Sequence, residues 1–256
     1  MIDLHCHILP GIDDGPRTLA ESVDLARAAV AAGTSTIVAT PHVSWDYPDN
    51  SAARIADGVA EVNAALEREG VDLDVLPGAE IAMTRAGELP DGELEALRLG
   101  GGPYLLVECP LSPVAVGFEP IASGLAARGH RILLAHPERC PAFQRDPAAY
   151  EALVRQGMLG QVTAGALIGR FGRHVREFAH RLVRDGLAHD VASDGHSVVQ
   201  RPPSIRAELE QAGYAEQADW LARQVPEAVL SGGRVPPAPP MPRPGGLVAR
   251  LLRRAS

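Results

Sequence analysis

The sequence alternates between short runs of apolar residues and longer segments in which apolar residues recur every three or four positions. The short runs predict seven β-strands, at residues 2–7, 36–40, 74–78, 104–108, 131–135, 159–163 and 188–192. The longer segments predict helices at residues 19–32, 52–69, 88–98, 118–128, 147–156 and 169–184, followed by two more at 204–212 and 215–229. Strands that alternate with helices form parallel sheets with right-handed crossover connections, so the pattern predicts an α/β fold.

Capping signals support two of these helices. Thr18 and Glu21 have the spacing of a capping box before the first predicted helix, and Gly33 follows its end. Asp146 followed by Pro147 is typical of a helix start, because proline fits the first helical turn.

Residues of metal-ligand type follow nearly every predicted strand. His5 and His7 lie two positions apart at the end of the first strand, so their side chains point to the same face and can share a metal ion. Later strand ends are followed by His42, Glu80, Glu108, His136, Asp194 and His196. The carboxyl ends of parallel strands converge on one mouth in a closed barrel, whereas they spread along an edge in an open sheet. We therefore expect a barrel with a cluster of several ions at its mouth, because these ligands are too many for one ion.

Taken singly, each of these residues has an ordinary structural explanation. A lone buried histidine is usually a hydrogen-bonded core residue, a lone aspartate is often a helix cap, and Asp194 followed by Gly195 would pass as a turn. No such explanation accounts for the whole set of ligand-type residues at strand ends. As a set, these residues indicate a metal-dependent hydrolase. Asp13 and Asp14 are the weakest candidates, because the Gly-Pro pair that follows them favours a simple turn, and a ligand role for one of the two stays open.

The length suits one large domain or two small ones, and the composition is sufficient for a full hydrophobic core. The chain has 256 residues, of which 46% are hydrophobic, and α/β barrels are typically about 250 residues long. We expect the barrel to span residues 1–232, followed at residues 233–256 by an extended proline-rich linker and a short basic tail. The net charge of −8 argues against nucleic acid as a partner.

Cysteine usage bears on both the compartment and the mechanism. Cys6, Cys109 and Cys140 form no Cys-x-x-Cys pair, which indicates a reducing compartment without a disulfide framework. Neither Cys109 nor Cys140 is followed six positions later by the arginine of a Cys-x5-Arg phosphate loop, so thiol catalysis is not expected. The sequence shows no secretory signal and no apolar run of about 20 residues, so we expect a cytoplasmic protein without a transmembrane segment.

Several motifs resemble those of a known family. Residues 3–16 read Asp-Leu-His-Cys-His-Ile-Leu-Pro-Gly-Ile-Asp-Asp-Gly-Pro. In order, there follow Thr40-Pro41-His42, Gly78-Ala79-Glu80, Glu108, Ala135-His136-Pro137-Glu138-Arg139, Ser193-Asp194-Gly195-His196 and Arg201-Pro202-Pro203. These motifs resemble the polymerase and histidinol phosphatase (PHP) family, and within it the manganese-dependent protein-tyrosine phosphatases of bacterial capsule and exopolysaccharide operons. The resemblance covers about the first 230 residues.

The resemblance implies a distorted (β/α)7 TIM-like barrel of the PHP type that holds three divalent metal ions. By position, His5, His7 and Asp194 would hold the first ion, Glu80 would bridge to the second, Glu108 and His136 would complete the second, and Asp14, His42 and His196 would hold the third. The family favours manganese, and iron, magnesium and zinc are also compatible with imidazole and carboxylate ligands. The chain departs from the family pattern at Cys6, where small polar residues are common, and at Cys140, where we expect an aromatic residue that helps to hold a phenyl ring.

The activity that the resemblance implies is hydrolysis of protein phosphotyrosine by a metal-bound hydroxide. The expected partner is the C-terminal tail of a bacterial tyrosine kinase, and the expected role is control of capsular or exopolysaccharide biosynthesis. Arg139 and Arg201 are the candidate catalytic and substrate-binding residues, because a guanidinium matches phosphate geometry and stays charged, although most arginines are surface residues. A small-molecule phosphatase such as histidinol phosphatase and, less favoured by the negative charge, a phosphodiesterase or nuclease stay open on the same barrel. Assembly into a homo-oligomer is also left open.

Overall fold

The computed structural model describes residues 1–112 and 117–242 of the chain. Within them the strands are β1 (Ile2–Cys6), β2 (Thr36–Ala39), β3 (His42–Val43), β4 (Asp74–Pro77), β5 (Glu80–Ala82), β6 (Tyr104–Glu108), β7 (Arg131–Ala135), β8 (Leu159–Thr163) and β9 (Asp190–Ala192). The α-helices are α1 (Leu19–Ala31), α2 (Ala52–Arg68), α3 (Met83–Ala86), α4 (Asp91–Ala96), α5 (Phe118–Ala127), α6 (Pro141–Arg145), α7 (Pro147–Arg155), α8 (Ala164–Leu167), α9 (Arg173–Arg184), α10 (Ile205–Ala212) and α11 (Val225–Ser231).

All seven predicted strands are present, and β6, β7 and β8 have the predicted bounds. Two strands have a second part that the sequence pattern did not show: β2 ends before Pro41 and β3 follows it, and β4 ends before Gly78 and β5 follows it. Proline has no N–H to donate to a strand ladder. At the second break the chain needs glycine, because a Cβ at Gly78 would lie only 2.6 Å from Val38 Cγ1. These breaks place His42 and Glu80 as the first residues of the second parts.

The strands form two sheets in which every strand pairing is parallel, so the predicted α/β class is confirmed. The smaller sheet has the order β1-β2-β4, and the larger sheet has the order β3-β5-β6-β7-β8-β9. The end of β1 lies beside the residues that follow β9. The His7 N–H donates to the Gly195 carbonyl at 2.8 Å, and the Asp194 N–H donates to the His5 carbonyl at 2.9 Å. In each sheet, therefore, the carboxyl ends of all strands lie on one side.

Most helices lie where the apolar periodicity predicts them. The capping box of α1 is confirmed, because the Thr18 hydroxyl accepts the Glu21 N–H and the Glu21 carboxylate accepts the Thr18 N–H. In α2 the residues Ile55, Val59, Val62 and Leu66 are buried, at the three- and four-residue spacing of one helix face. This buried face packs α2 against the smaller sheet at β4.

Three predicted helices are shortened or divided. The helix predicted at residues 88–98 spans only Asp91–Ala96, with Pro90 before its first residue. The helix predicted at residues 169–184 begins only at Arg173, because Gly169 and Gly172 have φ angles of 94° and 93°, outside the helical region. The helix predicted at residues 215–229 is divided into a 3-10 turn, a π-helical turn and α11. Helices α3, α6 and α8 have only four or five residues each, too few for periodicity to reveal. Among the described helices, none has the length and hydropathy of a membrane-spanning segment.

The proline-rich segment has no helix or strand up to residue 242, yet it contacts the rest of the fold. The Trp220 indole N–H donates to the Pro236 carbonyl at 3.1 Å, and the Gln217 amide donates to the Pro240 carbonyl at 2.7 Å. Met241 is partly buried against the core. The segment therefore folds back on the domain instead of extending away from it. The predicted basic tail lies outside the described residues, and the boundary at residue 232 stays a prediction.

The replacement Gly160→Ala should destabilise the fold. Gly160 lies within β8, and a Cβ there would overlap the hydroxyl oxygen of the buried Tyr150 and lie 2.7 Å from the Leu187 carbonyl oxygen. We expect the free energy of unfolding in urea, measured without metal, to fall by about 1–3 kcal/mol. The control Gly124→Ala lies in α5 with no heavy atom within 4 Å, so it should be neutral or raise that free energy by up to about 1 kcal/mol. Equal stability of the two variants would contradict the packing described for β8.

Candidate metal centre

All nine predicted metal ligands lie on the carboxyl-end side of the strands. They are His5 in β1, His7 and Asp14 after β1, His42 after β2, Glu80 after β4, Glu108 at the end of β6, His136 after β7, and Asp194 and His196 after β9. Ligand atoms of seven of them form three overlapping groups, each with atoms within 4.8 Å of one another: His7, Asp14, His42 and His196; His5, His7 and Glu80; and His42, Glu80 and Glu108. His136 and Asp194 adjoin these groups through contacts with Glu80 and with the two N-terminal histidines.

The innermost group, formed by His5, His7 and Glu80, consists of buried side chains. The Nε2 atoms of His5 and His7 lie 3.3 Å from each other, and each lies 3.3 Å from Glu80 Oε2. Asp194 Oδ1 lies 3.5 Å from His5 Nε2 and 3.6 Å from His7 Nε2. Burial lowers the pKa of His7, but the Asp13 and Glu80 carboxylates outweigh burial and raise it to about 10. Two imidazoles and two carboxylates thus face one small volume.

Glu80 connects this group to the other predicted ligands. Its Oε1 lies 2.6 Å from His136 Nε2, and its Oε2 lies 3.1 Å from His42 Nδ1. Glu108 is grouped with His42 and Glu80. Burial, followed by the negative charge of Glu80, raises the pKa of Glu108 to about 8. A cation between the two carboxylates would remove this mutual repulsion.

Asp14 belongs to the outer group, which it forms with His7, His42 and His196. Its Oδ1 lies 3.3 Å from His196 Nε2 and 3.6 Å from His42 Nε2, and its side chain is 49% exposed. The hydrogen bond with His196 holds the pKa of Asp14 well below its usual value. Of the two adjacent aspartates, Asp14 is therefore the one that belongs to a ligand group.

Asp13 and Gln161 orient the two N-terminal histidines, and sequence reasoning did not find either role. Asp13 Oδ2 lies 2.7 Å from His7 Nδ1, and the His42 N–H donates to the same oxygen at 3.1 Å. Gln161 Oε1 lies 2.8 Å from His5 Nδ1, while its amide donates to Asp190 Oδ2 at 2.6 Å. Because both acceptors favour a proton on Nδ1, the Nε2 atoms of His5 and His7 face the site and would offer their lone pairs to a bound cation. The sequence pointed to Asp13 only through the Asp13-Asp14 pair. No sequence feature distinguished Gln161, which lies within β8.

Two site residues have strained backbones. Among the described non-glycine residues, only His136 and Asp194 have positive φ, at 33° and 51°. Such conformations cost about 1–3 kcal/mol each and persist where surrounding contacts fix them. His136 directly follows β7 and Asp194 lies two residues after β9, so the strain turns their side chains toward the other predicted ligands.

The donor set fits divalent cations. His136 Nδ1 is buried without a hydrogen-bond partner among the described residues, although an unpaired buried polar atom is costly. Burial lowers the pKa of His136 to about 4, so its imidazole is neutral and has a lone pair to offer. Imidazole and carboxylate ligands without thiolate suit manganese, iron, magnesium or zinc.

Arg139 and Arg201 lie together on one side of the site. Arg139 Nη1 donates to Asp194 Oδ2 at 2.8 Å, and Arg201 also pairs with this oxygen. Arg201 Nη1 lies 2.9 Å from His196 Nε2. The Phe171 ring packs under both guanidinium groups, with its centroid 4.6 Å from Arg139 Cζ and 6.0 Å from Arg201 Cζ. Phe171 is a further residue of the site that the sequence did not reveal.

The cysteines do not offer a nucleophile. Cys6, Cys109 and Cys140 are free and buried, and burial raises the pKa of each thiol above its usual value. A thiolate nucleophile needs the opposite environment, with a lowered pKa and access to substrate. This burial is in line with the sequence, in which neither Cys109 nor Cys140 begins a Cys-x5-Arg phosphate loop.

The replacement Asp13→Asn should weaken metal binding. Asp13 Oδ2 accepts from His7 and His42 while its Oδ1 accepts the Gly15 N–H, so an asparagine amide would place a donor against one of these donors. We expect manganese affinity, measured by calorimetric titration of metal-free protein, to fall by about 10- to 100-fold. The exposed residue Asp57 provides the control Asp57→Asn, which should bind like wild type. Unchanged affinity in Asp13→Asn would show that this carboxylate does not orient a ligand.

Comparison with known proteins agrees with this geometry. Residues 1–230 match the family model for capsular polysaccharide synthesis, CpsB/CapC. Tyrosine-protein phosphatase YwqE of Bacillus subtilis is 34% identical over 244 residues, which cover 94% of this chain and 96% of YwqE. Tyrosine-protein phosphatase CpsB of Streptococcus pneumoniae is 27% identical over 211 residues, which cover 80% of this chain and 87% of CpsB. A crystal structure from work on YwqE and CpsB, described as unique metal-dependent tyrosine phosphatases, matches with a TM-score of 0.81 at 33% identity and covers 95% of this chain and 100% of its own. Since the family model and YwqE each match nearly the whole chain, this protein belongs to the CpsB/CapC family of capsular polysaccharide synthesis.

Proposed function

We propose that this protein is a metal-dependent protein-tyrosine phosphatase that removes phosphate from the tail of a bacterial tyrosine kinase and thereby regulates capsular or exopolysaccharide synthesis. The observation that carries the proposal is the overlap of three ligand groups beside two arginines that share one carboxylate oxygen. Membership of the CpsB/CapC family and the names of YwqE and CpsB support the phosphotyrosine substrate. A cytoplasmic location is part of the proposal, supported by three free, buried cysteines.

The proposed centre holds three divalent ions, with manganese as the preferred metal. His5, His7 and Asp194 hold the first ion, Glu80 bridges to the second, Glu108 and His136 complete the second, and Asp14, His42 and His196 hold the third. The grouping of Asp14, His42 and His196 within 4.8 Å supports the third set, and the convergence of His5, His7 and Asp194 Oδ1 supports the first. Glu80 has one oxygen toward His136 and the other toward three imidazoles, which suits a bridging carboxylate.

We also propose that the two sheets form one closed, distorted (β/α)7 barrel. Counting β2 with β3 and β4 with β5 gives seven strand positions in the order of the chain. The parallel bridge between Cys6 and Gly195, with its flanking hydrogen bonds, supports closure between the first and the last position. Closure explains how ligands from every strand position but β8 reach one small volume.

The residues of the chain have distinct roles in the proposed hydrolysis. When bound, divalent ions would supply an activated water at neutral pH and neutralise charge on the phosphate. Arg139 and Arg201 bind the non-bridging phosphate oxygens, and Phe171 and Asp194 hold the two guanidinium groups in position. The phenolate leaves without a proton from the chain, because the pKa of a phenol is near 10. This chain has Cys140 where the family resemblance leads us to expect an aromatic residue. The Phe171 ring and Tyr47, whose ring is stacked 5.7 Å from that of His42, supply aromatic surface for the phenyl ring instead.

The replacement Arg139→Ala should impair catalysis without loss of metal. Arg201 still pairs with Asp194, so the carboxylate stays in place while one phosphate-binding group is lost. We expect kcat/KM for a phosphotyrosine peptide to fall by about 100-fold, with unchanged manganese content by elemental analysis. The exposed α7 residue Arg155 provides the control Arg155→Ala, which should match wild type. Full activity of Arg139→Ala would remove this arginine from the mechanism.

The proposed function is tested by metal analysis together with a side-by-side assay on a phosphotyrosine peptide, histidinol phosphate and a dinucleotide. We expect bound divalent metal, activity that a chelator removes and manganese restores, and a preference for the peptide of more than about tenfold. A preference for histidinol phosphate would assign a small-molecule phosphatase, and cleavage of the dinucleotide would assign a phosphodiesterase. Activity that resists chelation but is blocked by vanadate would contradict the metal-dependent mechanism.

A further inference from the structure

A cavity of about 630 Å³ adjoins the metal centre. It lies between the loop after β1 with the first turns of α1 and the loop after β9. Asp14, His196 and Arg201 line the cavity and also belong to the proposed metal and phosphate sites. A substrate with its phosphate at the centre therefore has space for its neighbouring groups here. The volume is within the range of about 300–1,000 Å³ that is usual for ligand pockets.

One wall of the cavity is apolar and exposed. Val198 and Val199 line it, and they are 47% and 82% exposed. They are two of the four large hydrophobic residues that are exposed in the part of the chain that the structure describes. The other two, Trp45 and Leu111, lie on loops that follow β3 and β6, on the same carboxyl-end side. Only the adjacent pair Val198 and Val199 lines the cavity, and such a paired apolar surface beside a site suits contact with a bound partner.

The loop that carries the two valines is held in place. Arg170 donates to the Gln200 carbonyl at 3.0 Å and pairs with Glu208, which is nearly buried. The Gln200 N–H donates to Ser197 Oγ at 3.1 Å, so the loop is closed on itself. These contacts present the valines as a fixed wall, which lowers the entropic cost of binding a substrate against it.

The opposite wall carries an available positive charge. The exposed Arg17 guanidinium has no hydrogen bond or ion pair among the described residues. Neither of the acidic residues near it bonds this guanidinium: Glu21 accepts the backbone N–H groups of Arg17 and Thr18, and Asp24 pairs with Arg27 at 3.3 Å. Arg17 is therefore the cation on this wall that is free to pair with an incoming carboxylate.

We propose that this cavity binds the residues next to the phosphotyrosine, with an acidic side chain paired to Arg17 and an apolar side chain on Val198 and Val199. This inference rests on the proposed phosphotyrosine activity and extends it from the phosphorylated ring to the surrounding chain. It gives the enzyme a preference among phosphotyrosine sequences. A small phosphomonoester reaches only the metal centre and gains nothing from this wall.

The test uses the full, manganese-loaded protein with p-nitrophenyl phosphate and three phosphotyrosine peptides, flanked by Glu and Leu, by Lys and Leu, or by Ala alone, with flanks tried on each side. For wild type we expect kcat/KM to be about fivefold higher for the best Glu-Leu peptide than for its Ala counterpart. Arg17→Glu should reverse the order of the Glu and Lys peptides, and Val199→Ser should lower kcat/KM for the Leu-containing peptides by about threefold. Neither variant should change the hydrolysis of p-nitrophenyl phosphate, and Arg155→Ala should behave as wild type with every substrate.

The outcomes separate the inference from the function on which it rests. If wild type hydrolyses all three peptides equally and Arg17→Glu leaves that order unchanged, the subsite is overturned while the phosphatase activity stands. If both variants lower the hydrolysis of p-nitrophenyl phosphate as much as that of the peptides, the cavity does not bind flanking residues. If the wild type hydrolyses no phosphotyrosine substrate, the proposed function fails and the subsite fails with it.

Discussion

The charge of the buried Glu80 carboxylate is the constraint on which the rest of the site depends. An ionised carboxylate removed from water costs several kcal/mol unless opposite charge and hydrogen bonds balance it. Burial raises the pKa of Glu80, but His5 and His136 outweigh burial and hold the pKa well below its usual value. Glu80 is thus ionised in the interior, and only imidazoles and cations suit its immediate surroundings. Burial and then the negative charge of Glu80 raise the pKa of Glu108 to about 8, so an ionised Glu108 needs a further cation beside it.

Asp194 is a second buried carboxylate whose negative charge is balanced by its neighbours, and it lies between the metal-ligand groups and the two arginines. Its Oδ1 faces His5 and His7, while its Oδ2 accepts from Arg139 and Arg201. Burial raises the pKa of Asp194, but His5 and Arg201 outweigh it, so this carboxylate is also ionised. One carboxylate therefore joins the groups proposed to hold metal to those proposed to hold phosphate. The strained φ of Asp194 is the backbone cost of this shared position.

Much of this arrangement could be predicted from the sequence, because strand ends and ligand residues are local features. Seven strands and eight of the nine ligand-type residues follow from apolar runs and from the residues at or just after their ends. The residues alone could not decide between Asp13 and Asp14, and only the family resemblance selected Asp14, since the choice depends on which side chain reaches His7 Nδ1 across the loop. Gln161 and Phe171 were missed because their partners are distant in sequence and meet only after folding. The docking of the proline-rich segment on Gln217 and Trp220 was missed for the same reason.

The burial of the proposed ligands also bears on the direction from which a substrate approaches. His5, His7 and Glu80 are almost fully buried, whereas the His42 side chain is 19% exposed and that of Asp14 is 49% exposed. The outer group is therefore the part of the centre that meets solvent, and a phosphate ester arrives from the side of Asp14. That side is also where the cavity opens, so any chain attached to the ester lies over the loop after β9. A centre built only for a small phosphomonoester has no need of exposed apolar residues on that loop, and their presence there favours a macromolecular substrate.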